Sequence, residues 1–476
     1  VIARVEIHPG RYHDSVRLMQ ASKAVQAVDG VEDALVAMGT ELNLSLLTDM
    51  GFDMAGVAGA GPNDLLVALR AENEAAIAAA HHALDEALTH KVAPAGGLDA
   101  PEPKTAGAAA AAADANVVLL SVPGEYAFVE AMEALESGRH VMIFSDNVPL
   151  DQEVILKRHG TDHDLLVMGP DCGTAIINGV GLGFANAVLP GSVSMVGASG
   201  TGIQEMCALL DDAGIGVRHA LGTGSRDLSE AVGAASTLQA LAALEDDPAS
   251  DLIVLISKPP ATEVAEKVRR AAEACTKPVV ITFMGETTLE DGAGEVLSEL
   301  GRPPTEHGAW EAAPLDHRPG SVRGLFSGGT LAAEARFVAV PLLGEIGTTE
   351  DDAGHTFIDY GDDEYTQGRA HPMIDQTVRL ERMAAAAHDD SVGVILMDVV
   401  LGYGANADPA GELAPLVEQA VDAGAAVVVS LCGTRGDPQG RDAQAEALNR
   451  AGASVYLSNA AAAMAAARLV CEGRLA

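Results

Sequence analysis

The sequence predicts an α/β protein: several parallel-sheet domains in succession, preceded by a small α+β domain of ferredoxin-like type. Short runs that are apolar on both faces, such as "NVVLLSVPG" (Asn116–Gly124) and "LIVLISKPP" (Leu252–Pro260), alternate with helical patterns. That rhythm belongs to parallel sheets covered on both sides. The 476 residues exceed one ordinary core and suggest about two to four domains. An Ala/Val/Leu/Gly-rich composition with 3% aromatics fits such domains.

Residues 1–91 read as the small α+β domain. Its expected strands are Ala3–Ile7, Glu32–Met38 and Leu65–Leu69, and its expected helices Ser15–Val28, Leu42–Met50 and Asn73–Leu88. Residues 92–115 are rich in Pro, Gly and Ala; they read as a linker whose Ala-rich end begins a helix. Residues 116–190 form a first parallel block, with strands in "NVVLLSVPG", "HVMIFSD" and "LLVMGPDCG". Residues 191–305 continue with "SVSMVGASG", "LIVLISKPP" and "PVVITFMG". A Pro/Gly-rich break, "GRPPTEHGAWEAAPLDHRPGS", precedes a last block at 320–476, with strands in "SVRGLFSGG", "VGVILMDVV", "AAVVVSLCG" and "SVYLS". The last two blocks are flavodoxin-like in rhythm.

Formal charge is −39, from 68 acids against 29 bases. Nucleic acid and acidic membrane surfaces are excluded as partners by repulsion. No apolar run reaches the length of a membrane span, and "VIARVEIHPGRYHDS" lacks a basic segment leading into an apolar one. Five scattered cysteines without CxxC spacing argue against zinc and disulfide frameworks, and a reducing cytoplasm is expected. No metal ligand spacing is evident.

"VGASGTGIQEM" (Val196–Met206) carries an apolar strand into a Ser-Gly-Thr-Gly turn and a helix. It lacks the Gly-Lys-Ser/Thr ending of a nucleotide loop. "SVRGLFSGGTLAAEA" (Ser321–Ala335) repeats the plan, with Glu334 one turn into the helix as Glu205 is in the first. Helix N-termini present unpaired N–H groups and partial positive charge, and glycine admits close approach. Two opposed turns would make a phosphate site from Ser199, Gly200, Thr201 and Gly202 with Ser327, Gly328, Gly329 and Thr330. Ordinary helix capping is the competing reading.

"GPDCGTAIING" (Gly169–Gly179) followed by "VGASGTGIQE" resembles the α subunit of succinyl-CoA synthetase. "SGGTLAAEA" and "LMDVVLGYG" resemble the ligase domain of its β subunit. Within this resemblance, 116–190 is similar to part of a CoA-binding Rossmann domain, and the two flavodoxin-like blocks to the ligase domains. The pattern "DDEYTQGRAHPMID" (Asp362–Asp375) is similar to the FdrA family. That resemblance implies oxamate carbamoyl transfer with carbamoyl phosphate or phosphate as substrate, and work with partner subunits or as a homo-oligomer. The departures favour binding an acyl phosphate over making one from ATP. The synthetase's phosphohistidine motif matches "MGETTLEDGAGEVL" (Met284–Leu297), which has no His. Lys258 replaces an expected carboxylate, no ATP-grasp domain fits, and part of the CoA pocket is lacking. CoA is therefore the weaker cofactor candidate. Acyl-CoA synthetase (ADP- or GDP-forming) component and non-catalytic scaffold are the alternatives.

Lys258, one of seven lysines, stands at a strand end before two prolines and would clamp phosphate or carboxylate. In "HTFIDYGDDEYTQGRAHPMID" (His355–Asp375), Arg369 would clamp a carboxylate and His371 would shuttle a proton. Asn406, Thr434 and Arg435, in loops after consecutive apolar strands, would line a substrate crevice. Surface turns are the competing reading. Cys172 and Cys432 read as packing residues.

Overall fold

The computed structural model describes residues 1–11, 13, 15–54, 57, 59–89, 105–113, 115–312, 318–366 and 369–471. The described residues divide into two compact units, one within Val1–Glu102 and Asp362–Asp375, the other within Pro103–Gly361 and Gln376–Ala476.

The first unit runs β1 (Ile2–His8), α1 (Ser15–Gln26), β2 (Val31–Met38), α2 (Glu41–Asp49), β3 (Leu65–Ala71) and α3 (Glu74–Thr89). Its antiparallel sheet has the order β1-β3-β2. The central strand β3 is buried nearly throughout and sends alternate side chains to its two faces. Leu65, Val67 and Leu69 pack with Leu18 of α1 and Ile77 of α3, while Leu66 and Ala68 pack with Leu47 of α2. This is the period-2 alternation of a strand covered on both faces.

The second unit opens with α4 (Ala106–Ala112), the Ala-rich end of the expected linker; residues 92–104 of that linker lie outside the described residues. Then come β4 (Val117–Leu120), α5 (Gly124–Glu136), β5 (His140–Ile143), α6 (Leu150–Asp162) and β6 (Val167–Met168), with the three strands forming a parallel sheet. A hairpin of β7 (Thr174–Ile177) and β8 (Val180–Gly183) follows. The next elements are β9 (Val193–Ala198), α7 (Gly200–Asp212), β10 (Val217–Gly222), α8 (Ala235–Asp246), β11 (Leu252–Ser257), α9 (Thr262–Glu273), β12 (Val279–Phe283) and α10 (Leu289–Glu299). They build a six-stranded sheet, β12-β11-β9-β10-β7-β8, parallel through β9–β12. The β7–β8 hairpin falls within the 116–190 block of the sequence but hydrogen-bonds to β10 of the next one.

The last block contains β13 (Ala309–Trp310), β14 (Ser321–Phe326), α11 (Gly329–Leu343), β15 (Ile346–Gly347) and β16 (His355–Asp359). The segment Asp362–Asp375, with the short α12 (Asp363–Thr366), groups with the first unit. The block resumes with α13 (Thr377–Ala387), β17 (Val392–Val400), α14 (Pro409–Asp422), β18 (Ala426–Cys432), α15 (Arg441–Arg450), β19 (Ser454–Tyr456) and α16 (Asn459–Cys471). Its seven-stranded sheet has the order β13-β19-β18-β17-β14-β16-β15, with only the β13 edge antiparallel. Every residue of β17 and β18 is buried, as helices on both faces require. Among the described residues no helix is long and apolar enough to cross a membrane.

Candidate functional site

The fully buried strand β9 delivers Ser199 to the start of α7. Ser199 is the N-cap, and its Oγ accepts the Gly202 N–H at 2.9 Å, the capping bond expected of serine at this position. A Cβ on Gly202 would lie 2.6 Å from that Oγ and 2.9 Å from Ile256, so only glycine fits. Strand β14 delivers Ser327 to α11 in the same way. The two turns touch. The Ser199 and Thr330 hydroxyls hydrogen-bond to each other, and a Cβ on Gly328 would come within 2.7 Å of the Thr201 side chain.

The second turn is already partly filled by an anion of the protein itself. Asp398, two residues before the end of β17, accepts the Ser327 N–H at 2.8 Å, the Ser327 hydroxyl at 2.8 Å and the Gly328 N–H at 2.9 Å. Arg379 of α13, buried, pairs with the same carboxylate at 3.0 Å. Ser327 and Gly328, expected to face phosphate, therefore spend their donors on Asp398. The correction has a simple cause: a buried carboxylate takes whatever N–H and O–H donors surround it.

What remains open is the side formed by Gly200, Thr201, Gly329 and Thr330, whose first-turn N–H groups have no intrahelical acceptor. Two side chains approach Gly329. A Cβ there would lie 2.5 Å from Lys258 Nζ and 2.2 Å from Asp359 Oδ2. Lys258, half-buried, leaves the end of β11 and forms no ion pair among the described residues. Asp359 ends β16 and accepts the Gly361 N–H at 2.9 Å. On the α7 side, Thr174 Oγ1 is buried without a hydrogen-bond partner. It lies 3.3 Å from where a Cβ on Gly200 would stand. Lys258 and Asp359 beside Gly329, and an orphaned hydroxyl beside Gly200, thus flank two joined helix starts; the N–H groups and Lys258 suit a small anion, and the Asp359 carboxylate opposes one.

The other expected residues are placed elsewhere. Thr434 donates its hydroxyl to the Ala187 carbonyl at 2.8 Å and its N–H to Asp437 at 2.7 Å. Arg435 donates its N–H to Asp211 and its guanidinium to Asp212. Those acids end α7, about 18 Å along the axis from its first residue at helical rise. Asn406 accepts the Asp408 N–H in its own loop. Thr434 and Arg435 thus tie their loop to Ala187 and to the end of α7, and the Asn406 side chain braces its own loop. Arg369 and His371 belong to the segment that groups with the first unit, while His355–Asp359 is a strand of the second; the expected single loop-to-helix segment is thus divided. His371 Nδ1 accepts the Met373 N–H at 3.2 Å within its own turn.

Several site residues escaped sequence reasoning. Asp398 had a signal: one acid in the apolar run "VGVILMDVV". So did the β7–β8 hairpin, whose Asn178-Gly179 turn has both residues at positive φ, the type I′ signature. Asp359, Arg379 and Thr174 had none, because their roles arise only from tertiary approach. The thiol of Cys172 is pushed up to about 12 by burial, and burial raises that of Cys432 as well. Both are packing groups.

Three family models match the chain. "AllF, heavy metal-associated domain" matches residues 1–105, "CoA binding domain" 189–285 and "CoA-ligase" 325–469. The CoA-binding match falls on β9–β12, which sequence reading assigned to the first flavodoxin-like block. Residues 1–105 contain no cysteine. Among the described residues no group of three or more His, Cys, Asp or Glu is placed to hold a metal. The chain is 36% identical to the uncharacterized protein YahF of Escherichia coli (strain K12), over 99% of both chains. It is 28% identical to the malate–CoA ligase subunit alpha of Methylorubrum extorquens, over 40% of this chain and 67% of that one. It is 27% identical to the ADP-forming succinate–CoA ligase subunit alpha of Methanothermobacter thermautotrophicus, over 37% of this chain and 59% of that one.

Proposed function

Because the chain belongs to the FdrA-type family of succinyl-CoA synthetase-like proteins, we propose that it is a component of an acyl-CoA ligase-type enzyme. In this reading it holds the phosphoryl group of an acyl phosphate, or inorganic phosphate, at the joined starts of α7 and α11. The observation that carries the reading is the approach of Lys258 Nζ to Gly329 at the start of α11, with the unpartnered Thr174 hydroxyl beside Gly200 at the start of α7. Attack of a thiol such as that of CoA on the acyl carbonyl would expel phosphate. The free N–H groups of Gly200, Thr201, Gly329 and Thr330, with Lys258, would stabilise the negative charge that develops on it. The start of α10, Thr288–Leu289, carries no histidine, so the phosphoryl group stays on the small molecule. Nucleotide chemistry would come from a partner subunit, as the subunit names of the relatives suggest.

A second reading, carbamoyl transfer between carbamoyl phosphate and an amide such as oxamate, is favoured by Asp359. A carboxylate beside an anion turn repels a second anion but accepts N–H groups, which a carbamoyl phosphate supplies. Phosphorolysis by the full chain, alone and with candidate partner subunits, separates the two. Acyl phosphate formed from an acyl-CoA and phosphate supports the first reading, and carbamoyl phosphate formed from oxalurate supports the second. Labelled phosphate held stably on the protein, or no turnover in any combination, overturns both.

A further inference from the structure

Glu205 and Glu334 stand at matching places, five positions past the first residues of α7 (Gly200) and α11 (Gly329). Both are 1% exposed. Their hydrogen bonds cross between blocks. Glu205, on a helix of the six-stranded block, accepts the N–H of Asn459, first residue of α16 in the seven-stranded block, at 3.0 Å. Glu334, on a helix of the seven-stranded block, accepts the N–H of Leu289, first residue of α10 in the six-stranded block, at 2.5 Å. Asn459 Nδ2 closes the arrangement by donating to Glu334 at 2.7 Å. Each block thus lends a carboxyl from its first helix to the start of the other's last helix.

We propose that Glu205 and Glu334 are positioning residues, a reciprocal clasp between the two blocks that holds the α7 and α11 turns together. The Ser199–Thr330 bond lies at the N-terminal ends of the same two helices, so separating the blocks parts the turns. The consequence for phosphate affinity rests on the reading of the turns given above; the clasp itself does not.

The clasp is proton-sensitive. Glu205 is pushed up to about 8, chiefly by burial and then by Glu334. Glu334 is pushed up to about 7, again chiefly by burial. The titratable groups around them are Glu290 and Asp291 of α10, which raise Glu334, Glu290 raising Glu205 as well, and Cys432 of β18, which lowers Glu205. Ser458, just before α16, donates its hydroxyl to Glu290. One oxygen of Glu205 has no hydrogen-bond partner. Both carboxyls are raised in the closed state, so closure is strongest at low pH. It weakens as pH rises from the ordinary carboxyl range through 7 to 8, and levels off above that.

Hydrogen exchange of the Leu289 and Asn459 amides in the full chain tests the clasp. Their protection factors should fall about tenfold per pH unit for each titrating carboxyl between pH 5 and 7, and flatten above about 8. The E205Q/E334Q double variant should lose that slope. A flat wild-type profile, or the same slope in the double variant, overturns the proposal; if the variant does not fold, the wild-type profile decides alone. Binding of sulfate, a phosphate mimic whose charge does not change over this range, at pH 6 and pH 8 separates the two ideas. A sloped exchange profile with pH-independent sulfate binding upholds the clasp and counts against the phosphate reading.

Discussion

Ser199 and Thr330, 131 residues apart in the chain, share a hydrogen bond between the starts of two helices from different sheets. Ser199 also caps α7, so one hydroxyl serves both the helix and the junction. Ser199→Ala removes a cap worth about 1 kcal/mol and a buried hydrogen bond worth about 1 kcal/mol, and it leaves the Thr330 hydroxyl short of a partner. Urea denaturation should show a loss of about 2–3 kcal/mol. A loss below about 0.5 kcal/mol, the level of an ordinary surface change, would mean that the junction bond does not form.

Asp398→Ala should be far more damaging. It orphans the Ser327 and Gly328 donors and leaves Arg379 buried without its counter-ion. Breaking one side of a buried pair costs about 3–5 kcal/mol. The Asp398→Ala/Arg379→Met double variant should recover part of that in the same denaturation experiment. No recovery would show that the ion pair is not what the single variant breaks.

The four buried cysteines should be inert in the folded chain. Burial raises Cys172 to about 12 and lifts Cys207 and Cys432 also; only Cys275 is half-buried. With a thiol reagent at pH 8, Cys275 should react first, and Cys172, Cys207 and Cys432 only on unfolding. Fast modification of Cys172 in the native chain would contradict its reading as a packing residue.

The fold was legible because its signals are local. Apolar runs such as "VVVSLC" become fully buried strands, and the Ser-Gly turns open helices in both blocks. The partners of those turns were not legible. Asp398 lies 71 residues from Ser327, and Thr174 meets Gly200 only because the β7–β8 hairpin joins the sheet beside β10. The partners of the polar loop residues were hidden for the same reason. Thr434 and Arg435 looked like crevice residues, but loop backbone and charges need partners too, and these found theirs in Ala187, Asp211 and Asp212.

The central claim is that the joined turns, with Lys258, hold phosphate. Calorimetric titration of the full chain with inorganic phosphate, wild type against Lys258→Ala and Gly329→Ala, tests it most directly. A Cβ at 329 meets only the far ends of the Lys258 and Asp359 side chains, so the fold should survive while both groups are displaced. A lost charge-assisted hydrogen bond of about 1.5–3 kcal/mol predicts binding weakened about tenfold to hundredfold in each variant. Absence of phosphate binding by the wild type, or equal affinity in all three proteins, would contradict the account.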